Sequence, residues 1–180
     1  MPISLDGLDP AFRTKLETCL THCGGRGTTM VPYFGIRTPV EQGGLWRQSR
    51  STAEIAAKTA ELKTLGAPFL AHCIDAAGPR HGPHVTNAAP GFSWHQWGEA
   101  MDCYWLVDGK AEWSTEIGGP DNGYRIYADQ ATKDGLTAGG YWLSLKDWPH
   151  VQKRVAASPA SAGLAIAEIN AKMEAMYGSG

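Results

Sequence analysis

One histidine and one aspartate stand seven positions apart in the stretch SWHQWGEAMD, residues 93–102. Imidazole and carboxylate groups are common zinc ligands, and they approach the ion to about 2 Å. Residues seven apart are separated by about 10 Å along an α-helix, and by about 23 Å on opposite faces of a straight strand. His95 and Asp102 can therefore share a metal only if the chain turns between them, and Gly98 supplies the conformational freedom for that turn.

A catalytic zinc site also needs a third protein ligand and one position left for water. The best candidate is His150 in KDWPHVQ, where Pro149 keeps the preceding residue extended. Asp147 lies three residues earlier, and a carboxylate near the metal but not bound to it can act as general base. A histidine beside a proline is more often structural, and an aspartate is usually solvated. The combination of these residues, rather than any one of them, predicts hydrolytic zinc chemistry.

The stretch around the first two ligands predicts a loop, a turn and then a strand. His95 would precede the turn, and Asp102 would lie on the strand EAMDCYWLV. Side chains alternate between the faces of a strand, so Ala100 and Tyr104 would share the face of Asp102.

The rest of the chain alternates between helix and strand signals. TTMVPYFGI predicts a strand, in which Pro32 suggests an edge or a bulge. Thr38 and Ser51 are predicted N-caps of two helices. An extended segment, YWLSLKDWPHVQ, follows Gly139 and Gly140. The other predicted helices are LDPAFRTKLETCLTHC, APFLAHCIDAAG, YRIYADQATKDGL and PASAGLAIAEINAKMEAMYG. Helices among a few non-consecutive strands predict an α+β fold, with helices packed on a small, mostly antiparallel sheet.

Length and composition indicate one soluble domain. The chain has 180 residues, a net charge of −2 and 43% hydrophobic residues, so we expect a single domain over residues 1–180. Lysine and arginine are thinly spread, which argues against nucleic-acid binding. The apolar runs are too short to insert into a membrane. The N-terminal MPISLDGLDPAF lacks the pattern of a signal peptide.

The four cysteines leave the redox compartment open. Cys19 and Cys23 are one helical turn apart and, with His22, could form a metal site. A helix face with two buried thiols is the favoured interpretation, because free cysteine packs as a small hydrophobe. The other two are Cys73 and Cys103, and no CxxC pair is present.

Three segments together resemble a known family. SWHQWGEAMD matches the SxHxxGxAxD motif of the M15 zinc peptidases, a group of D-Ala-D-Ala carboxypeptidases and L-alanyl-D-glutamate endopeptidases that includes phage endolysins. GGYWLSLKDWPH resembles their GGxW…DxPH motif, and GIRTPVEQ resembles their xRTxxEQ segment. The motifs occur in the family's order and cover residues 33–152, and every fixed position of the first motif matches.

The resemblance implies a fold of the Hedgehog/DD-peptidase type and a role for each matched residue. Its zinc (Zn2+) ligands would be His95, Asp102 and His150. Asp147 would be the catalytic base, and Arg37 falls where the family has an arginine near the scissile carbonyl. Two further residues, Ser93 and Gln42, could orient the substrate or the ligands, although Gln42 could also be an ordinary helix residue.

The chain departs from the family in the long segment 51–84. Its histidines His72, His81 and His84 could rim the cleft or bind a second metal. We favour loop and helix-surface positions for them. We expect the part from Ser51 to Gly78 to be helical and to border the cleft.

The resemblance also implies a reaction. An aspartate three residues before the last histidine is typical of the endopeptidase branch, so Asp147 favours cleavage of the L-Ala–D-Glu bond in the peptidoglycan stem peptide. One alternative is a D,D- or L,D-carboxypeptidase on the same scaffold. A second is a non-enzymatic, zinc-stabilised binding domain, which would need neither Asp147 nor Arg37. A small chain without a visible signal peptide fits a monomeric, endolysin-like enzyme that stays in the cytoplasm until lysis and then acts on the cell wall.

Overall fold

The computed structural model describes residues 3–143 and 145–178. In that part of the chain it contains six α-helices and five short strands, so the predicted α+β class is confirmed. The helices are α1 (Pro10–Gly25), α2 (Pro39–Arg47), α3 (Thr52–Thr64), α4 (Pro68–Ala76), α5 (Gly123–Lys133) and α6 (Ile166–Tyr177). The strands are β1 (Thr29–Phe34), β2 (Ala100–Val107), β3 (Lys110–Glu112), β4 (Thr137–Ala138) and β5 (His150–Gln152).

The described chain divides into two compact units. The first contains the described residues up to Ile36 together with Trp97–Val155. The second contains Arg37–Gln96 and the described residues from Ala156 onward. The single catalytic domain expected over residues 1–180 stays a prediction. None of the described helices is both long and apolar enough to span a bilayer.

The sheet belongs to the first unit. Its order is β1-β2-β5-β4, β3 also pairs with β2, and these pairings are antiparallel. The edge position and bulge predicted from Pro32 are confirmed, because β1 ends the order and its register shifts between Pro32 and Phe34. Proline has no N–H to donate, so an irregular edge strand tolerates it.

The core of the first unit forms where α1 and α5 meet the sheet. Phe12 and Leu16 of α1 pack with Tyr127 of α5 and with Met101 and Cys103 of β2. On β2 the odd-numbered side chains therefore face the core. Asp102 and Tyr104, on the alternate face, are only partly buried, as the alternation of side chains along a strand predicts.

The second unit is helical. The predicted N-caps are confirmed, and each belongs to a capping box: Thr38 pairs with Glu41 at the start of α2, and Ser51 pairs with Glu54 at the start of α3. The first turn of α4 has no cap from its own residues. Instead, Asn170 of α6 accepts hydrogen bonds from the backbone N–H groups of the first α4 residues, at 2.9 and 3.2 Å. This side chain satisfies donors that a helix start otherwise leaves unpaired.

The structure corrects several predicted boundaries. The loop expected before Gly98 is a 3-10 helix, Trp94–Trp97. The segment expected to be extended after Gly139 begins with a 3-10 helix and continues as mostly irregular chain; among its described residues only β5 is a strand, and Ser144 lies outside the described residues. The closing helix begins at Ile166 and not at Pro159, because Gly163 takes a positive φ of 93° that a helix cannot contain. The two helices predicted from Ser51 onward are confirmed, and Gly66 separates them with a φ of 75°.

The exposure of the side chains supports two favoured interpretations: that the α1 thiols are buried as part of a helix face, and that the histidines of segment 51–84 lie at the surface. Cys19 and Cys23 are buried in α1 and free, and His22 contacts Asp134 at the surface. The segment histidines His72, His81 and His84 are exposed. None of these cysteines and histidines belongs to a metal-type cluster among residues 3–143 and 145–178.

Candidate metal centre

Gly98 makes the turn that the ligand spacing requires. Its φ is +68°, a conformation that side chains with a Cβ rarely adopt. A Cβ at this position would also lie 2.9 Å from the carbonyl oxygen of Gly7. The Gly98 carbonyl accepts a hydrogen bond of 2.9 Å from the Asp9 backbone N–H. The predicted turn is therefore confirmed, and the start of α1 holds it in place.

Asp102 and His150 are directly opposite each other on β2 and β5. Their side chains meet at 2.9 Å, between Asp102 Oδ1 and His150 Nδ1. The surroundings are mostly dry, with 13% of the Asp102 side chain and 8% of the His150 side chain exposed. The His150 ring also packs against Trp142, with ring centroids 5.2 Å apart. Sheet pairing thus brings together two candidate ligands that are 48 residues apart in the chain.

His95 lies in the 3-10 helix and is 3% exposed. Ser93, placed in the substrate site by the family resemblance, accepts a hydrogen bond from the His95 backbone N–H at 3.4 Å through its hydroxyl. The Ser93 carbonyl accepts another, of 3.1 Å, from the Gln96 N–H. Within the structure, Ser93 therefore shapes the short helix that presents His95.

The described residues contain one group of side chains suited to a metal ion. His95, Asp102 and His150 each offer one ligand atom, and these atoms all lie within 4.8 Å of one another. Two imidazoles and one carboxylate form a donor set typical of catalytic zinc. The chemistry of these donors fits the metal that the family resemblance implies.

The pKa of the buried His150 reflects its acidic surroundings. Burial alone would lower this pKa, because it disfavours the charged imidazolium. The hydrogen bond with Asp102 and the charges of Asp102 and Asp147 oppose burial and raise the pKa above its usual value. The carboxylates of Asp102 and Asp147 thus favour a positive charge on the His150 ring.

Two glycines position Asp147. A Cβ on Gly139 would lie 2.5 Å from the Asp147 carbonyl oxygen and 3.1 Å from the His150 Cβ. The Asp147 N–H donates to the Gly139 carbonyl at 3.1 Å, and the His150 N–H donates to the Asp147 carbonyl at 3.2 Å. A Cβ on Gly140 would run into the indole of Trp148. The glycine pair therefore lets the segment containing Asp147 fold closely against the strand that carries His150.

A chain of buried amides holds Arg37. Arg37 Nη1 donates to Gln42 Oε1 at 2.9 Å, and Gln96 Nε2 donates to the same oxygen at 3.1 Å. Gln42 Nε2 donates to the Ala88 carbonyl at 2.6 Å, which sets the orientation of the Gln42 amide. Gln42 and Gln96 are both fully buried. The predicted role of Gln42 in orienting other groups has this contact with Arg37 as its structural basis.

The interpretation of the motifs overlooked two glutamines. Gln96 Oε1 accepts hydrogen bonds of 3.2 Å from the backbone N–H groups of Gly91 and Ser93, so it stiffens the loop before His95. Gln152 Oε1 lies 3.0 Å from His150 Nε2. Nothing in the pattern around Gln96 indicates its contacts, whereas Gln152 stands two positions after a ligand on a strand and therefore shares its face.

Comparisons with known proteins find similarity to peptidases of the kind that the motifs resemble. No protein-family model matches the chain. The peptidoglycan L-alanyl-D-glutamate endopeptidase CwlK of Bacillus subtilis (strain 168) is 26% identical over 156 residues, which cover 84% of this chain and 76% of the relative.

Two solved structures are also similar. One is the L-Ala D-Glu endopeptidase ChiX of Serratia marcescens, with a TM-score of 0.43, 17% identity, and coverage of 82% of this chain and 81% of that one. The other is a variant of the vancomycin resistance D,D-pentapeptidase VanY from a VanB-type resistance cassette, in complex with Zn(II). Its TM-score is 0.47, its identity 21%, and the coverage 94% of this chain and 87% of that one. The similarity to the Bacillus relative supports the resemblance of this chain to the M15 zinc peptidases.

Proposed function

We propose that this protein is a zinc-dependent peptidoglycan hydrolase that cleaves the L-Ala–D-Glu bond of the stem peptide. The observation that carries the proposal is the group of His95, Asp102 and His150, whose ligand atoms lie within 4.8 Å of one another. The Bacillus relative, named as an L-alanyl-D-glutamate endopeptidase, supports both the substrate and the bond.

In this proposal His95, Asp102 and His150 hold the metal. A bound zinc ion lowers the pKa of a water molecule and polarises a carbonyl group, which is the chemistry peptide hydrolysis requires. The donor set fits zinc rather than magnesium or calcium, which prefer a shell of oxygen ligands.

Asp147 and Arg37 complete the proposed machinery. Asp147 accepts a proton from the water that attacks the scissile carbonyl carbon, and then transfers it to the leaving amine nitrogen as the C–N bond breaks. The Arg37 guanidinium stabilises the negative charge that develops on the carbonyl oxygen. The hydrogen bond from Arg37 to the buried Gln42 limits the motion of this guanidinium before substrate arrives.

The biological setting is proposed on the family resemblance alone. The protein would be a monomeric endolysin-like enzyme, held in the cytoplasm until lysis, and would act on the cell wall without inserting into the membrane. Ser93 and Gln42 would support substrate binding indirectly, by ordering the His95 helix and Arg37.

The test combines metal analysis with product analysis. Protein stripped by a chelator and reloaded with zinc should bind one ion per chain and release peptides with a new N-terminal D-Glu from purified peptidoglycan, as identified by mass spectrometry. Release of D-Ala would identify a carboxypeptidase instead. His95→Ala should bind less zinc, and undiminished zinc content in this variant would contradict the metal centre.

A further inference from the structure

We propose that Gln152 is a positioning residue, which holds the His150 imidazole in the tautomer that a metal ligand needs at Nδ1. The inference rests on the proposed function, because it concerns the same metal centre. Its first basis is a contact: Gln152 Oε1 lies 3.0 Å from His150 Nε2, on the side of the ring away from Asp102.

The orientation of the Gln152 amide follows from its second contact. Gln152 Nε2 lies 2.7 Å from the carbonyl oxygen of Arg154. A backbone carbonyl only accepts hydrogen bonds, so the NH₂ group must face Arg154 and the oxygen must face His150. An amide oxygen also only accepts, and the hydrogen bond to it therefore requires a proton on His150 Nε2.

The tautomer decides which ring nitrogen can bind a metal. A neutral imidazole with its proton on Nε2 has a lone pair on Nδ1. In this structure Nδ1 points at Asp102 Oδ1, 2.9 Å away. Without a metal, a proton on Nδ1 makes this contact a hydrogen bond to the carboxylate. If a metal ion replaced that proton, the proton that Gln152 accepts on Nε2 would be the one the ring keeps. Gln152 thus turns the ligating nitrogen of His150 towards the other ligand.

Gln152 is also rigid enough for this role. It is 1% exposed, and its backbone lies in the middle of the sheet, opposite Ala100 on β2 and Thr137 on β4. Outer hydrogen bonds to a ligating histidine raise its basicity and fix its ring, and their loss typically lowers metal affinity 10- to 100-fold.

Two substitutions separate positioning from a purely structural role. Gln152→Met keeps the length of the side chain and removes the acceptor for His150. Gln152→Glu keeps an acceptor for the His150 Nε2–H but loses the donor to Arg154. Positioning predicts that zinc affinity, measured by competition with a chromophoric chelator, falls roughly 10- to 100-fold in Gln152→Met and is kept in Gln152→Glu. A structural role of the Arg154 contact predicts equal losses in both variants.

A spectroscopic readout tests the tautomer itself. In the ¹H–¹⁵N spectrum of the zinc-loaded protein, His150 should be protonated at Nε2 in the wild type and in Gln152→Glu, and should lose this preference in Gln152→Met. The matched control is Gln130→Met on α5, which removes an amide 3.3 Å from the surface residue His22 and should change neither readout.

Three outcomes would overturn the inference: wild-type zinc affinity in Gln152→Met, equal losses in both variants, or an Nδ1-protonated His150 in the zinc-loaded wild type. Neither readout depends on hydrolysis. A wild-type protein that binds zinc and shows the expected tautomer but leaves peptidoglycan intact would contradict the proposed function and support the role of Gln152.

Discussion

The proposed mechanism gives different tasks to Asp147 and His150, which are three residues apart. His150 is buried and faces Asp102, whereas Asp147 remains partly exposed. The hydrogen bond from the His150 N–H to the Asp147 carbonyl fixes the two backbones relative to each other. A ligand benefits from a dry, fixed position, and a proton acceptor benefits from access to water, so the arrangement suits both.

Asp147→Asn should bind zinc and lose nearly all hydrolysis. The amide is almost isosteric with the carboxylate, so packing against Gly139 and metal binding should survive. It cannot accept the proton, and general-base catalysis contributes about 10²–10⁴-fold. Zinc content and peptidoglycan turnover measured on the same preparation check this expectation.

A variant that keeps zinc and more than about a tenth of wild-type turnover would be too active for a lost general base. Another carboxylate would then have to be the general base, and the structure bears on the two candidates, Glu99 and Asp75. Glu99 is 5% exposed and is paired with Arg154 at 2.5 and 2.8 Å, so it has a structural partner already. Asp75 is an exposed residue of α4.

At the scale of single residues, the sequence predicted the features that follow from the spacing of nearby residues. The turn at Gly98 followed from the distance that a metal allows between His95 and Asp102. The amide contacts of Gln96 and Gln152 did not, because their partners are set by side-chain orientation and by backbone groups of other segments. Single-residue patterns contain no such information.

Among the elements, the segment from Gly139 to His150 depends on close packing more than on regular structure. It contains a 3-10 turn and ends in the three-residue strand β5. Its shape is held by the approach of the Gly139 backbone to Asp147, which leaves no room for a side chain. The motif GGYW therefore contains its glycines for steric reasons.

Gly139→Ala should lower both stability and activity. The new Cβ would lie 2.5 Å from the Asp147 carbonyl oxygen, and both Asp147 and His150 would have to shift. Overpacking of this kind costs about 1–3 kcal/mol, and thermal unfolding together with peptidoglycan turnover should register the change.

The control for this substitution is Gly24→Ala on α1, where a Cβ would meet nothing within 4 Å. Alanine is favoured over glycine inside helices by up to about 1 kcal/mol, so this variant should be as stable as the wild type or more so. Equal behaviour of the two variants would show that the Gly139 contact has no special importance.

Helix starts were predictable from the sequence where an N-cap residue marks them. Thr38 and Ser51 begin α2 and α3 as expected, each with a glutamate three residues into the helix. The predicted start of α6 at Pro159 was wrong. The helix begins at Ile166, and its N-cap residue Ala165 has no side chain that could mark this start in the sequence. Instead, the hydroxyls of Ser158 and Ser161 bond to nearby groups and organise turns before the helix.

At the scale of the whole molecule, the first unit contains a network of charged side chains around Lys153. Lys153 Nζ lies 2.8 Å from Asp9 and 3.4 Å from Glu99, and Arg154 pairs with Glu99. This network joins the start of α1, the residue before β2 and the residues after β5. The hydrogen bond from Lys153 holds the pKa of Asp9 below its usual range, and the same contact raises the pKa of Lys153.

The free energy of unfolding should therefore fall at acidic pH, because Asp9 becomes protonated there. A carboxyl with a depressed pKa contributes stability above its unfolded value of about 3.9, and that contribution disappears as pH falls through the folded pKa. Asp9→Asn keeps an oxygen to cap the Phe12 N–H but removes the charge, so its midpoint of thermal unfolding should depend less on pH below about 4.

Asp108→Asn in the exposed turn between β2 and β3 is the comparison for this experiment. It removes one carboxylate without touching the Lys153 network, and its acid profile should follow that of the wild type. Identical profiles for Asp9→Asn and the wild type would exclude the Asp9–Lys153 pair as a source of acid sensitivity.

The short length of β5 has a consequence for how the chain finds its native state. Three residues pair with β2, so backbone hydrogen bonds alone discriminate weakly between alignments of these strands. A slip by one residue would turn the His150 side chain to the opposite face, away from Asp102. The proposed metal ion, which would require both side chains, would stabilise one alignment only. The ion would thus select the native register of β5 against β2. Chains with a shifted register could not bind it and would unfold more easily.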